Sequence, residues 1–143
     1  MQRIAAAATA AATGRAATAG LTHVVGHDAL GFTSLVTDTK DTYLVILGQA
    51  RVKTSVSRTV TTGVDGSGSV AESTVTYAYD AQARLTAATA GVTHVVGHDA
   101  LGFTSFVTDT QDTYLVILGQ ARVKTSTSRT VTTGVDGSGS VAE

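Results

Sequence analysis

The sequence predicts an all-β fold, a tandem array of short antiparallel β-hairpins stacked along one axis. Three observations support this prediction: the composition, a long internal repeat, and turn signals that recur within each repeat. Thr, Val, Gly, Ala and Ser dominate the 143 residues, whereas Pro, Cys and Trp are absent. Thr and Val are stiff at their first side-chain torsion and fit a pleated sheet, and Gly supplies the tight corners between strands.

The chain contains a long internal repeat. Residues 16–72 match residues 87–143, and only four pairs of residues differ. We call the shift that relates Ala16 to Ala87 the repeat offset. The differing pairs are Leu21/Val92, Leu35/Phe106, Lys40/Gln111 and Val56/Thr127. The sequence therefore predicts three parts: an Ala-rich N-terminal segment or cap at residues 1–15, a first repeat unit at 16–72 and a second at 73–143.

A shorter pattern recurs three times in the first unit and four times in the second. A first residue is followed three positions later by Gly or Ala, and the pair returns at nearly regular intervals along the chain. The first four such pairs are Asp28/Gly31, Leu47/Ala50, Asp65/Gly68 and Asp80/Ala83. The spacing predicts a strand, a tight turn and a returning strand, with the small residue at the corner.

The apolar run YLVIL at residues 43–47 recurs at 114–118 and is the strongest candidate for a core strand. A continuous apolar run predicts burial on both faces of a sheet, so we expect Leu44, Ile46, Leu115 and Ile117 to be buried. Residues 52–62 alternate in part and predict a further strand. The Gly-rich segment at residues 64–69 predicts a tight hairpin turn.

The N-terminal segment, residues 1–15, contains Arg3 and Arg15 and no acidic residue. One interpretation is an export or transit signal. Its apolar stretch is mostly Ala and Thr, which is weaker than the core of a secretory signal. The favoured interpretation is a short helix over residues 4–13 that caps the first strands, because Ala has a strong helix propensity.

Charge and composition exclude several classes of protein. Ten Lys and Arg balance eleven Asp and Glu, so the basic excess that phosphate binding requires is absent and a nucleic-acid partner is not expected. Without Cys there can be no disulfide and no thiolate metal site. No window has the roughly 18 consecutive apolar residues of a membrane-spanning helix.

Residues 79–85, YDAQARL, resemble the RHS or YD repeats, whose consensus is Tyr-Asp-x-x-Gly-Arg-Leu, with Ala83 at the Gly position. Residues 27–32 keep the Asp and the Gly but place His27 at the Tyr position. The resemblance implies hairpins that spiral into a hollow shell, and a secreted or cell-surface location. Two units are too few to close such a shell. The Asp-Pro step of the family's self-cleaving segment is impossible in a chain without Pro.

The string H-x-x-x-H-D, which contains His23 and His27 and recurs as His94 and His98, suggests a metal site. Residues four apart in a strand lie about 13 Å apart, which is too far to share one ion. The flanking Val and Gly residues argue against a helix, which would bring the two rings together. A structural role is therefore favoured.

Turn aspartates with nearby Gly suggest calcium binding, but the alternating acids and terminal Glu of an EF-hand are absent. An Asp that opens a turn accepts backbone hydrogen bonds, and this explains its presence. These residues are Asp28, Asp65, Asp80, Asp99 and Asp136.

No catalytic site is expected, because no Ser has the sequence context of a nucleophile and the chain has no Cys. Tyr77 and Tyr79 could stack on sugars, although a tyrosine in a strand is typical of a packed sheet. We therefore expect no catalytic residue, no cofactor and no metal ligand.

The sequence thus predicts a structural module that associates with itself, as a filament, a ring or part of an RHS-like shell. Glu143 stands one residue before the point where a third unit would begin, which suggests end-to-end or edge pairing between copies. The first alternative is a carbohydrate-binding or adhesive module. A second is a cross-β fibril formed by the segment YLVILG.

Overall fold

The computed structural model describes residues 2–5 and 19–143. These residues form nine strands in a single sheet, in the order of the sequence, and each strand pairs antiparallel with the next. The sheet is open, with β1 and β9 at its edges, and the described residues include no helix. The strands are β1 (Gln2–Ala5), β2 (Gly20–His27), β3 (Thr33–Ile46), β4 (Gln49–Gly63), β5 (Gly68–Tyr79), β6 (Leu85–His98), β7 (Thr104–Ile117), β8 (Gln120–Gly134) and β9 (Gly139–Ala142). The prediction of an all-β array of antiparallel hairpins is confirmed.

The repeat of the sequence is also a repeat of the structure. Strands β3 and β4 have the same bounds as β7 and β8 once the repeat offset is applied. Each recurrence of the shorter pattern corresponds to one strand and one turn, because the long strands contain 12 to 15 residues. Strands of this length extend over about 40 to 50 Å. The hairpins therefore lie side by side in one sheet and not one above another.

The turns that begin with Asp share one geometry. The backbone N–H of Gly31 donates to the carbonyl of Asp28 over 3.1 Å, and the N–H of Ala83 donates to Asp80 over 3.0 Å. Gly31 and Ala83 both have a positive φ, of 74° and 62°. The residue three positions after the Asp is therefore the corner residue, as predicted for these turns.

Two of the four predicted corners lie elsewhere in the structure. The turn after β4 begins at Gly63, so its corner residue is Gly66, with φ 87°, and Gly68 already belongs to β5. The turn after β3 consists of two residues, Leu47 and Gly48, and Ala50 lies within β4. A three-residue offset from Asp65 or Leu47 is therefore wrong, because the turn type sets the corner position.

The prediction of a buried apolar core is wrong. Among the described residues, the only buried apolar side chains are Ala83 and Ala90, which are 5% and 9% exposed. Leu115 and Ile117 are 49% and 50% exposed, and Leu44 and Ile46 are of intermediate exposure. A run such as YLVIL is continuously apolar, but in a single-layer sheet its alternate residues point to opposite, uncovered faces.

The N-terminal helix prediction is wrong where the structure tests it. Ile4 and Ala5 belong to β1, and Ile4 lies opposite His23 of β2. Pairing with β2 satisfies backbone groups that a helix would leave on the sheet edge, so tertiary context overrides the local propensity. The rest of the predicted helix, residues 6–13, lies outside the described residues. In the described part of the chain no helix has the length and apolarity needed to cross a membrane.

Candidate functional site

The two faces of the sheet carry different side chains. Directly opposed residues on neighbouring strands point to the same face, and successive residues along a strand point to opposite faces. We call the face that bears Val36, Val60 and Val70 the valine face. The opposite face bears Tyr43, Tyr77, Tyr79 and Tyr114, and we call it the tyrosine face.

One row of residues across the valine face consists of valine alone. From β2 to β9 each member lies directly opposite the next on the neighbouring strand. We call this row the valine ladder, and its members are Val25, Val36, Val60, Val70, Val96, Val107, Val131 and Val141. Val25, Val96 and Val141 are exposed and the others are of intermediate exposure. The ladder is a continuous apolar stripe that the described residues leave uncovered.

A second row on the valine face consists of charged and histidine side chains. It lies two residues along each strand from the valine ladder, and we call it the charge ladder. Its members, in strand order, are His23, Asp38, Arg58, Glu72, His94, Asp109, Arg129 and Glu143. Basic or imidazole side chains therefore alternate with carboxylates across the sheet.

Four pairs of neighbours in the charge ladder interact through their side chains. Arg58 Nε lies 3.2 Å from Glu72 Oε1, and Arg129 Nε lies 3.4 Å from Glu143 Oε1. His94 Nδ1 lies 2.5 Å from Asp109 Oδ1, and His23 pairs with Asp38 in the same way. Because these side chains are about half exposed, each pair stabilises the sheet by only about 0.2–1 kcal/mol. The alternation also favours this register, since a slip by two residues would place valines opposite charges.

One end of the sheet carries exposed apolar turns. The turns after β2, β4, β6 and β8 all lie at this end, which we call the apolar turn end. Its exposed side chains are Leu30, Phe32, Val64, Leu101, Phe103 and Val135. The apolar turn end and the valine ladder lie on the same side of the charge ladder. A row of polar residues and glycine, which includes Ser34, Thr62 and Gly68, separates the two. On the other side of the charge ladder the same face carries further exposed apolar side chains, Leu21, Val56 and Val92.

The turn aspartates are engaged within their own turns. Asp65 Oδ1 accepts hydrogen bonds from the Ser67 hydroxyl over 2.6 Å and from the Ser67 N–H over 2.9 Å, and these bonds lower the pKa of Asp65. At Asp80 the backbone N–H of Arg84, followed by the Arg84 side chain, lowers the pKa of the carboxyl. Asp28, Asp99 and Asp136 accept equivalent turn hydrogen bonds. Each of these aspartates therefore has a structural role as a hydrogen-bond acceptor within its own turn.

The histidines of the H-x-x-x-H-D string lie on one strand and point to one face. His23 and His27 are four residues apart in β2, a separation of about 13 Å. The His23 ring is paired with Asp38, and in the second unit His98 Nδ1 lies 3.0 Å from the carbonyl of Asp99. In the described residues no group of three or more His, Asp or Glu could hold a metal ion.

The tyrosine face contains a small cavity near the turns after β5 and β7. It has a volume of about 350 Å³ and is lined by Arg51, Tyr77, Tyr79, Ala83, Arg84, Leu85 and Gly119. The Tyr79 hydroxyl donates to the carbonyl of Val52 over 2.8 Å, which holds its ring at the wall. Burial, followed by the nearby Tyr114, Tyr79 and Asp41, raises the pKa of Tyr77. Asp41 Oδ1 is buried and has no hydrogen-bond partner among the described residues.

Comparison of the chain with protein-family models, with curated proteins and with solved structures finds no match. The resemblance of residues 79–85 to the RHS repeats therefore stays a prediction. The described residues form an open sheet with few buried residues and many exposed apolar side chains. Such a surface is consistent with a module that forms assemblies.

Proposed function

We propose that this protein is a structural module that associates with copies of itself through the valine face. The observation that carries the proposal is the uncovered valine ladder. A sheet normally buries at least one face against another layer, because its apolar side chains must leave water. None of the described residues forms a second layer over the valine face, and a second copy of the chain would provide one.

The accessible surface of the chain supports this proposal quantitatively. The chain exposes 9366 Å², whereas a compact monomer of this mass exposes about 6900 Å². The excess is about 2500 Å², and a stable protein interface buries about 800 Å² on each partner. The excess surface is therefore large enough for an extensive interface.

Electrostatics also permits association. The net charge is −1, so two copies repel each other only weakly. The ion pairs of the charge ladder are already formed within each sheet, and this limits the number of unpaired charges that an interface must desolvate.

The test is sedimentation velocity over a concentration series on the parent chain and two matched variants. Val96→Lys places a charge in the valine ladder, and Val123→Lys makes the same change on the tyrosine face; the parent side chains are 44% and 57% exposed. We expect the parent and Val123→Lys to associate and Val96→Lys to shift to a smaller species. A parent that stays monomeric at high concentration would contradict the proposal.

A second candidate function, saccharide binding, is favoured by the cavity on the tyrosine face. Two tyrosine rings provide surfaces on which a sugar ring can stack, and Arg51 provides a donor for its oxygen atoms. A glycan array tests this candidate with Arg51→Ala and, as a control, Arg122→Ala. Arg122 is the repeat counterpart of Arg51 and forms the same bond to a Gln, but it does not line the cavity. Binding that survives Arg51→Ala would exclude this cavity.

Membership of the RHS family, an extracellular or cell-surface location and the lack of catalytic activity are further parts of the proposal. The first two are supported only by the likeness of residues 79–85 to the family consensus. The third is supported by the sequence context of the Ser residues, which shows no nucleophile motif.

A further inference from the structure

We infer that two copies meet valine face to valine face, related by a two-fold axis parallel to the strands. This inference rests on the proposed self-association and specifies its geometry. It follows from the order of the side chains within each ladder and from the position of each ladder along the strand direction.

Consider a two-fold axis that is parallel to the strands and midway between two facing sheets. Rotation about it keeps each residue at the same position along the strand direction and reverses the order of the strands. The valine ladder of one copy then faces the valine ladder of the other. The apolar turn ends also face each other. All the large apolar areas of this face are thus covered in one arrangement.

The charge ladders become complementary under the same operation. The ladder has eight described members of alternating type, so reversal of the order places each basic or imidazole group opposite a carboxylate. His23 faces the partner's Glu143, Asp38 faces the partner's Arg129, and Arg58 faces the partner's Asp109. The ladders therefore support the contact and do not oppose it.

A two-fold axis perpendicular to the strands gives a poorer match. An axis at the height of the valine ladder would keep valine against valine but would exchange the two ends of each strand. The charge ladder would then face a row on the other side of the valines. That row contains His27, Ser34, Thr62, Gly68, His98 and Ser105 and has no carboxylate or guanidinium. Because this axis preserves the strand order, His27 and His98 would face the imidazoles of His23 and His94 in the other copy and not a carboxylate. The charges would lose solvent without gaining partners.

The separation between packed sheets also fits these side chains. Face-to-face sheets lie about 10 Å apart, a distance that interdigitated valines fill. Arg and Glu side chains are long enough to meet across the same gap. The charge ladder lies between two apolar zones, with the valine ladder on one side and the exposed Leu21, Val56 and Val92 on the other, so an interface over this face desolvates its charges and requires them to pair across the gap.

Cysteine cross-linking distinguishes the two axes, because the natural chain contains no Cys. Val25→Cys and Val141→Cys place single thiols at opposite ends of the valine ladder, at exposed positions. We expect a short bismaleimide to link the two variants when they are mixed and to link neither variant with itself. Val123→Cys, on the tyrosine face, is the control and should link with neither.

The possible outcomes test the inferred axis separately from the proposed self-association. Self-linking of Val25→Cys would overturn the inferred axis, because it requires the strand order to be preserved across the interface. An associated parent in which no pair of variants links would also overturn the axis, while the proposed function would stand. A parent that is monomeric by sedimentation would overturn both.

Discussion

His94 Nδ1 lies 2.5 Å from Asp109 Oδ1 across β6 and β7, and His23 and Asp38 form the same pair one repeat offset earlier in the chain. The two pairs are joined by Arg58 and Glu72, because Glu72 lies directly opposite His94. The charged row therefore continues without a break from one repeat unit into the next. An exact repeat length is needed for this continuity, since a one-residue change would turn the second half of the row to the other face.

Reversal of one charge in this row should destabilise the sheet. Arg58→Glu places three carboxylates side by side, because Asp38 and Glu72 lie directly opposite Arg58 on the two neighbouring strands. We expect the free energy of unfolding in urea to fall by about 1 kcal/mol, and the loss to shrink at high salt. Lys53→Glu, which changes the same charge outside the row, is the control and should have a smaller effect. Equal losses in the two variants would show that the row has no specific role.

A substitution in the two-residue turn between β7 and β8 should increase the stability of the chain. Leu118 has a φ of 51° and is followed by Gly119 at 74°, so both turn residues are left-handed. Leu in this conformation costs roughly 1–2 kcal/mol, whereas Asn tolerates it. Leu118 is 99% exposed and loses no packing when it is replaced. We expect Leu118→Asn to raise the free energy of unfolding by about 1 kcal/mol.

Two controls test the cause of that gain. Leu47→Asn makes the same change in the equivalent turn of the first unit, where φ is 52°, and should stabilise to a similar degree. Leu101→Asn changes another exposed turn leucine whose φ is not positive and should have little effect. A gain at Leu101 equal to that at Leu118 would attribute the effect to solubility and not to backbone conformation.

The sequence predicted the strands, the repeat and the turns that begin at Asp28 and Asp80 because these depend on local signals. Asp80 and Ala83, for example, define their turn through hydrogen bonds between residues close in sequence. The exposure of Ile117 could not be predicted in this way, because an apolar run has the same composition whether or not another layer covers it. The sequence analysis also did not predict the valine ladder or the charge ladder. Val25 and Val36 become neighbours only when the register of β2 against β3 is known.

The close approach of Phe106 to Gly97 gives a further test of the packing. A Cβ atom at Gly97 would lie 2.2 Å from Phe106 Cζ and 3.0 Å from the carbonyl oxygen of Gly68. We expect Gly97→Ala to lower the free energy of unfolding by about 1–3 kcal/mol, because the ring must move. Adding Phe106→Leu should restore part of the loss, since Leu35 occupies this position in the first unit. A double variant no more stable than Gly97→Ala would assign the cost to the backbone contact instead.

Acid should weaken the turns that contain aspartate. Hydrogen bonds within the turns lower the pKa of Asp65, Asp80 and Asp136 below the reference value of 3.8. The folded chain therefore binds fewer protons than the unfolded chain near this pH. The stability that these groups contribute is present above pH 3.8 and is lost as the pH falls through their lower folded values.

The measurement is urea unfolding at about pH 6 and about pH 2.5 for the parent and for Asp80→Asn. We expect the parent to lose stability on acidification and Asp80→Asn to lose less, because Asn keeps an oxygen acceptor in the turn but has no proton to bind. A carbon-detected NMR titration of the folded chain provides a direct check at the same residue. An Asp80 carboxyl that titrates at or above 3.8 in the folded chain would contradict the assignment of its turn hydrogen bonds.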